Sequence, residues 1–163
     1  MGKILAFANH KGGVGKTTCA QNLAACLVEQ HGQKVLAVDL DSQGNLTEGI
    51  TRLTIDPEKT TFRLLLDEAA DIDDYIVNLR PGFDIIPNLY QKEIEDLIFK
   101  RPEDYWRLTE RLAPLRSKYD AILLDTPPGL GLPTKSAIAA ADEVIIVLSC
   151  GFYALRGAAT VLA

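Results

Sequence analysis

The chain has 163 residues, which is enough for one domain with a sizeable core and tight for two. Its net charge of −5 and pI of about 5.0 exclude a general electrostatic attraction to nucleic acid or anionic lipid, so any such contact needs a local patch. The three cysteines contain no Cys-x-x-Cys pair, and no apolar run approaches the length of a membrane span. Because the first residues also lack the features of a signal peptide, we expect a reduced, cytoplasmic protein that does not contact the membrane.

The first predicted elements are a buried strand and a helix, joined by a glycine-rich loop. The strand is the apolar run 4–8, and the helix carries apolar residues at i, i+3, i+4, i+7 and i+8 from Ala20 until Gly32 ends it. Residues 9–18, which connect the two, read Asn-His-Lys-Gly-Gly-Val-Gly-Lys-Thr-Thr. A loop in this position, between a buried strand and a helix, is where phosphate groups bind.

The composition of the loop suits phosphate binding. Gly12, Gly13 and Gly15 allow positive φ angles that turn several N–H groups inward around an anion. The helix adds unpaired N–H groups and the positive end of its dipole. Lys16 is placed to reach the β- and γ-phosphates, and the Thr17 hydroxyl is placed to ligate Mg²⁺.

Two later strands end in aspartates. The run 34–41 is apolar until Asp39 and Asp41, and the run 119–125 is apolar until Asp125. In an open parallel sheet, ligands gather at the carboxyl ends of the strands, which is where these side chains are expected. A carboxylate at the end of the later strand can hold the water shell of Mg²⁺ from the side opposite the threonine of the loop, which is the Walker B role.

The rest of the chain predicts helices and strands without a catalytic motif. One basic cluster deserves a functional reading, because it could face DNA; a solvated helix face has the same pattern. Its members are Arg107, Arg111, Lys118, Lys100, Arg101 and Arg116. The other predicted elements are a helix capped by Thr60–Thr61, a short helix from Asp71 to Leu79, a strand over 83–88, a helix with apolar residues at Tyr90, Ile94, Leu97 and Ile98, a helix over 103–118 distorted at Pro114, and a strand over 143–149.

The glycine-rich loop resembles the deviant Walker A box of the ParA/MinD family of ATPases. The matching residues 11–18 read Lys-Gly-Gly-Val-Gly-Lys-Thr-Thr, and His10 stands where the usual P-loop has its first glycine. A second lysine near the start of the loop defines that family, so the resemblance implies that Lys11 reaches across a two-fold axis into the partner's nucleotide in an ATP-dependent homodimer. The open alternative is a degenerate glycine turn with a solvent-exposed lysine. The ATP-binding residues that the match implies are Lys11, Gly12, Gly13, Val14, Gly15, Lys16, Thr17 and Thr18.

Two further segments resemble the switch regions of the same family. The sequence Asp-Ser-Gln-Gly-Asn-Leu-Thr, which begins at Asp41, is similar to switch I of the ParA/Soj branch. The match implies that Asp41 orients the attacking water and that Asp39 supports Mg²⁺ through its water shell or through Thr17. The alternative is an acidic turn in which Asp41 caps a short helix. The sequence Asp-Thr-Pro-Pro, which begins at Asp125, is similar to switch II, and this implies that Gly129 offers its N–H to the γ-phosphate.

The resemblance implies an α/β fold of the P-loop NTPase type, with a mainly parallel, doubly wound sheet and helices on both faces. Residues 1–163 are expected to form a single nucleotide-binding domain that is incomplete at its C-terminus relative to the family. The implied activity is slow, Mg²⁺-dependent ATP hydrolysis, with ATP and Mg²⁺ as cofactors. The catalytic residues would be Lys11, Lys16 and Asp41, and the metal site would use Thr17, Asp39 and Asp125.

Several biological roles are compatible with such a site. The match to switch I favours a partition ATPase, whose ATP-bound dimer binds DNA non-specifically and meets a centromere-binding adaptor of ParB type during plasmid or chromosome partition. Such a protein would be associated with the nucleoid. The alternative is a MinD-like, membrane-associated ATPase in cell division or positioning. Small-molecule enzymes, metal-cluster carriers and a plain nucleotide-binding structural protein also remain open.

Overall fold

The computed structural model describes residues 1–91 and 105–149. Its strands are β1 (Lys3–Ala8), β2 (Val35–Asp39), β3 (Val77–Arg80), β4 (Phe83–Ile86), β5 (Ala121–Asp125) and β6 (Glu143–Ile146). Its α-helices are α1 (Lys16–His31), α2 (Asn45–Ile50), α3 (Thr61–Leu66), α4 (Arg107–Leu112) and α5 (Leu132–Ala140). Among the described residues, 3₁₀ turns lie at Ile72–Tyr75 and Ala113–Ser117. In this part of the chain no helix has both the length and the apolar character to cross a bilayer.

The strands form one sheet in the order β3-β4-β2-β5-β1-β6. All neighbouring pairs are parallel except β3 and β4, which are antiparallel. At the centre of the sheet Asp39 of β2 is in register with Asp125 of β5, which is in register with Phe7 of β1. The predicted mainly parallel sheet is therefore confirmed, and its carboxyl edge brings the ends of these three strands together.

Helices pack on both faces of the sheet. Because successive residues of a strand point to opposite faces, Ala6 and Phe7 of β1 enter different cores. Phe7 packs with Ala20 and Ala24 of α1. The opposite core contains Ala6 together with residues of α3, α4 and α5. The predicted doubly wound α/β fold is therefore confirmed.

Several predicted helix boundaries are also confirmed. Gly32 ends α1 with a φ of 62°, and its N–H bonds the carbonyl of Val28. The Thr60 hydroxyl caps α3 by accepting from the Arg63 N–H. Pro114 lies in the 3₁₀ turn that follows α4, so the predicted distortion of that helix is present. Most of the helix predicted from Tyr90 to Ile98 lies outside the described residues.

The predicted short helix from Asp71 to Leu79 is wrong. Asp71 caps a 3₁₀ turn that ends at Tyr75, and residues 77–80 form β3. This strand pairs with β4 through the turn at Pro81–Gly82, where Gly82 has a φ of 81°. The hairpin places the segment on the edge of the sheet, and its ladder hydrogen bonds outweigh a weak helical preference.

The basic cluster is bound to neighbouring segments of the same domain. Arg107 donates to the Leu65 carbonyl at 2.9 Å and to Glu68 at 3.0 Å, and Arg111 donates to the Ala70 carbonyl at 3.0 Å. In the same way, Lys118 pairs with Asp73 and Arg116 pairs with Asp142. Lys100 and Arg101 lie outside the described residues. The described part of the cluster is therefore neither a free basic patch nor a fully solvated face, since its guanidinium groups hold together α3, α4 and the loop between α3 and β3.

Candidate nucleotide-binding site

The loop between β1 and α1 has the conformation of an anion-binding turn. Gly13 and Gly15 have φ angles of 72° and 98°, which lie in the left-handed region that favours glycine. Gly15 is the N-cap of α1, and no side chain of the described residues makes a cap hydrogen bond there. The N–H groups of the first helical turn are therefore left for a ligand, next to the positive end of the helix dipole.

An open cleft of about 300 Å³ lies over this loop. Three connections line it: the loop itself, the loop after β2 and the loop after β5. This arrangement brings together the predicted residues of the Walker A box and of switch I. The lining residues are Gly13, Gly15, Lys16, Thr17, Thr18, Asp41, Asn45, Thr126 and Pro128.

Lys16 lies at the floor of the cleft with only 6% of its surface exposed. Burial lowers the pKa of its ammonium group, while the nearby carboxylates of Asp125 and Asp41 raise it. A partly desolvated ammonium beside free backbone N–H groups favours an anionic ligand, because the anion would return the solvation that folding removes.

Asp125 lies behind the cleft and is fully buried. Neither of its oxygens has a hydrogen-bond partner of standard geometry among the described residues, although the Thr17 hydroxyl is near enough to lower its pKa. Burial dominates and raises the pKa of this carboxyl to about 6, with a smaller upward contribution from the charge of Asp41. A buried carboxylate with unused oxygens beside a threonine hydroxyl fits Mg²⁺, which takes oxygen ligands and is commonly held by one or two carboxylates and phosphate groups.

Asp39 is equally buried, but its oxygens are used within the protein. It accepts hydrogen bonds from the Asp41 N–H at 3.1 Å, the Thr47 N–H at 2.9 Å and the Thr47 hydroxyl at 2.8 Å. Burial raises its pKa to about 7, and the Thr47 hydrogen bonds oppose the shift. The predicted support of Mg²⁺ by Asp39 stays a prediction, and the observed contacts are those of a residue that shapes the loop after β2.

Asp41 lines the cleft with 6% of its surface exposed. One carboxylate oxygen accepts from the Gln43 N–H at 3.0 Å, which forms a local turn. The N-cap of α2 is Gly44, so Asp41 does not cap that helix as the alternative reading of the sequence had it. Its water-orienting role stays a prediction, and its position beside Lys16 and Asn45 suits that role.

Lys11 and Gly129, like Asp39, Asp125, Gly12 and Val14, are predicted site residues that are not part of the cleft lining. Lys11 is exposed, and its N–H donates to the Asn9 side chain at 2.9 Å. The Gly129 N–H donates to the His10 carbonyl at 2.9 Å, so that binding of a γ-phosphate by this N–H requires the bond to break. Both roles stay predictions. Of the other loop residues, Gly12 is exposed and Val14 packs beside the core on the α1 face.

Four polar residues near the site were not singled out from the sequence. Asn45 and Thr126 line the cleft, and the Thr126 hydroxyl donates to the Phe7 carbonyl at 2.6 Å. Thr47 hydrogen-bonds to Asp39 at the end of β2, and Asn88 hydrogen-bonds to the carbonyl of Asp41 in the loop that follows. A signal was present for Thr126, because it directly follows Asp125, which was assigned to the site; Asn88 lies in a predicted strand to which no site residue was assigned.

Known proteins resemble this chain in sequence and in fold. The family model described as "AAA domain" matches residues 2–163. The sporulation initiation inhibitor protein Soj of Bacillus subtilis is 41% identical over 165 residues, which cover 99% of this chain and 64% of that protein. A plasmid partition protein from Borrelia burgdorferi has a similar structure, with a TM-score of 0.87, 32% identity and coverage of 99% of this chain and 72% of that one.

A second solved structure is similar to the same degree. It is a cobyrinic acid a,c-diamide synthase from Mycobacterium smegmatis with bound ATP analog and magnesium, with a TM-score of 0.86, 34% identity and coverage of 99% of this chain and 66% of that one. The chain thus spans a little less than two thirds of the length of Soj, at 64%. The family match covers nearly every residue, and it agrees with the Walker A and switch segments described above. The chain therefore belongs to the AAA domain family and, within it, to the ParA/Soj type with a deviant Walker A box.

Proposed function

We propose that this chain binds ATP with Mg²⁺ in the cleft at the carboxyl edge of the sheet and hydrolyses ATP slowly. The observation that carries the proposal is the juxtaposition of Lys16, a buried ammonium under free helix N–H groups, with Asp125, a buried carboxylate whose oxygens have no hydrogen-bond partner among the described residues. The Lys16 ammonium favours an anionic ligand, and the Asp125 carboxylate favours a cation. A magnesium-bound triphosphate supplies both.

The chemistry follows from the residues that line the cleft. The N–H groups of the loop and Lys16 stabilise the charge that develops on the transferred phosphoryl group. Thr17, together with Asp125 behind the cleft, would hold Mg²⁺, and the ion would neutralise negative charge on the phosphates. Asp41 orients the attacking water. Hydrolysis is slow because the described residues of the cleft include a water-orienting carboxylate and no strong base.

A second copy of the chain completes the site. Lys11 is exposed and does not line the cleft of its own chain, as expected of a residue that reaches into a partner's nucleotide. The ATP-bound homodimer binds DNA non-specifically, and an adaptor of ParB type stimulates its turnover and release during plasmid or chromosome partition. The support for this role is the 41% identity to Soj and the likeness to the plasmid partition protein. The protein would then act on the nucleoid, in the cytoplasm.

Phosphate release by the full-length protein tests this function. Matched reactions contain no addition, non-specific duplex DNA or anionic liposomes, and each is repeated across a salt series. The proposal predicts phosphate release that requires Mg²⁺ and rises with DNA, and an effect of DNA that weakens steeply with salt. A response to liposomes and none to DNA would favour the MinD-like alternative. Absence of hydrolysis in every reaction would contradict the proposal.

The likeness to the cobyrinic acid a,c-diamide synthase favours a second candidate, an ATP-dependent enzyme that acts on a small molecule. The two candidates differ in the acceptor of the phosphoryl group. A partition ATPase transfers it to water and needs no second small molecule, whereas the enzyme turns over ATP productively only with its substrate. Hydrolysis by the purified protein alone, enhanced by DNA, separates the first candidate from the second.

A further inference from the structure

Two buried polar residues support the loop after β2 without reaching the cleft: Asn88 hydrogen-bonds to the loop, and Thr47 hydrogen-bonds to Asp39 at the end of β2. Thr47 lies in the first turn of α2 with 2% of its surface exposed, and Asn88 follows β4 with 0% exposed. Neither is among the residues that line the cleft. Buried polar side chains are retained at a cost unless their hydrogen bonds are made, so the partners of these two indicate what they do.

The Thr47 hydroxyl joins the ends of two strands. It donates to the Asp39 carboxylate at 2.8 Å and accepts from the Asn88 N–H at 2.9 Å. The Thr47 N–H donates to the same oxygen of Asp39 at 2.9 Å. A buried hydroxyl that uses both its donor and an acceptor site has one favoured orientation, so it fixes the start of α2 relative to β2 and to the segment after β4.

The Asn88 carboxamide extends this network to the loop. Its Nδ2 donates to the Asp41 carbonyl at 3.2 Å, and its Oδ1 accepts from the Leu89 N–H at 3.1 Å. The Asp41 carbonyl also accepts from the Gly44 N–H at 3.0 Å. The backbones are in close contact here, since a Cβ on Gly44 would lie 2.8 Å from the Asn88 carbonyl oxygen. The loop is therefore pressed against the segment after β4 and hydrogen-bonded to it.

We infer that Thr47 and Asn88 are positioning residues for Asp41: the Thr47 hydroxyl and the Asn88 carboxamide hold the loop after β2 so that the Asp41 carboxylate faces the cleft. The inference rests on the proposed function, in which Asp41 orients the attacking water. Because Thr47 and Asn88 do not line the cleft, they act on turnover through Asp41 and contribute little to nucleotide affinity.

A matched pair of variants in the full-length protein tests the role of the hydroxyl. Thr47→Val keeps the shape of the side chain and removes the hydroxyl, whereas Thr47→Ser keeps the hydroxyl. We expect Thr47→Val and Asn88→Ala to lower kcat for ATP on the order of tenfold and to change KM and ATP-analogue affinity by less than about threefold. Thr47→Ser stays near the parental kcat. Parental turnover by Thr47→Val, or equal losses for Val and Ser, would overturn the inference.

The dependence on Asp41 is tested by repeating Thr47→Val in an Asp41→Asn background. If Thr47 acts through the Asp41 carboxylate, its substitution lowers the single-turnover rate in the parental protein and has little further effect once the carboxylate is gone. If Thr47→Val lowers the single-turnover rate by the same factor in both backgrounds, Thr47 has only a structural role and the inference fails.

Hydrogen exchange of the nucleotide-free protein gives a readout that does not depend on activity. The Gln43 and Gly44 N–H groups bond to Asp41, so they should exchange faster in Thr47→Val and Asn88→Ala than in the parental protein and Thr47→Ser. The amides of α1 serve as the control and should not change. If the parental protein hydrolyses no ATP while exchange responds in this way, the proposed function fails and the positioning contact stands. If the parental protein is active and neither kcat nor exchange responds, the inference alone fails.

Discussion

Asp39 and Asp125 are register partners on neighbouring strands, and both are fully buried, but the protein satisfies them to opposite extents. Asp39 accepts three hydrogen bonds, one from Asp41 in the loop that follows it and two from Thr47 in α2. Neither oxygen of Asp125 has a partner of standard geometry among the described residues. One carboxylate therefore organises the protein, and the oxygens of the other remain without a partner, as the proposed metal site requires.

This contrast predicts that two matched substitutions change the free energy of unfolding of the nucleotide-free protein in opposite directions. At pH 8 in EDTA, Asp125→Asn is expected to raise the free energy of unfolding by about 1 to 3 kcal/mol, because it removes a buried charge without a partner. Asp39→Asn is expected to lower it, because an amide NH₂ would face the N–H donors that the carboxylate now accepts. Denaturant unfolding of both variants checks the prediction, and a change of the same sign in both would contradict it.

The effect of Asp125→Asn also has a predictable pH dependence. The pKa of Asp125 is raised in the folded protein from 3.8 to about 6, so the folded state binds this proton more tightly than the unfolded state does. The contribution of Asp125 to stability is therefore greatest below the unfolded pKa and is lost as pH rises through about 6. The stability advantage of the asparagine variant should shrink as pH falls across this window. An advantage that is constant with pH would mean that the charge of Asp125 is not its source.

Substitution of the two lysines of the loop is predicted to affect different properties, namely ATP affinity for Lys16 and ATP-induced dimerisation for Lys11. Lys16→Ala should lower the affinity of the monomer for ATP at least about tenfold, because a buried ammonium against phosphate contributes a charge-assisted hydrogen bond. Lys11→Ala should change that affinity less and abolish ATP-induced dimerisation. Titration of a fluorescent ATP analogue and sedimentation with and without ATP measure the two effects. ATP-induced dimers of Lys11→Ala would contradict the role in trans.

The glycine loop offers a prediction with an internal control. Gly13→Ala should cost about 1 kcal/mol or more of stability, because the φ of 72° is strained for any residue with a Cβ. Gly131→Ala should cost nothing comparable, since Gly131 has a φ of −64° and its Cβ would lie at an ordinary 3.7 Å from Pro133. Thermal or denaturant unfolding of both variants compares them, and equal losses would argue against the left-handed turn.

Asp41→Ala is predicted to separate binding from hydrolysis. The Asp41 carboxylate lines the cleft and makes a local turn. In the proposed site the loop N–H groups and Lys16, not Asp41, hold the phosphates. The variant should therefore bind the ATP analogue within about threefold of the parental affinity and lose most of its phosphate release. Parental phosphate release by Asp41→Ala would remove its water-orienting role.

Local sequence signals predicted the strand, loop and helix from β1 to α1. The loop glycines and Lys16 are adjacent in sequence, and Gly32 is a residue type typical of a helix end. The pairing of strands is a contact between distant segments, so the position of β5 between β2 and β1 could not be read from their apolar runs. For the same reason the segment from Asp71 to Leu79 was assigned to a helix, although its pairing with β4 makes part of it a strand.

In the candidate site, too, residues in local motifs were predicted and contacts between distant residues were not. Lys16, Thr17 and Asp41 were predicted and lie together at the cleft. The contact between Thr47 and Asn88 joins residues 41 positions apart, and no local pattern encodes it. Hydrogen bonds that support a loop depend on the assembled sheet, which is why Thr47 and Asn88 were missed, whereas several residues that line the cleft were found from local motifs.

The central claim, that the cleft holds a magnesium-bound triphosphate, is tested most directly by a crystal structure of the full-length protein with a non-hydrolysable ATP analogue and Mg²⁺. We expect the β- and γ-phosphates over the N–H groups of Gly13 to Lys16, with the metal and its waters between the Thr17 hydroxyl and the Asp125 carboxylate. A nucleotide bound elsewhere, or a metal with no direct or water-mediated contact to Asp125, would contradict it.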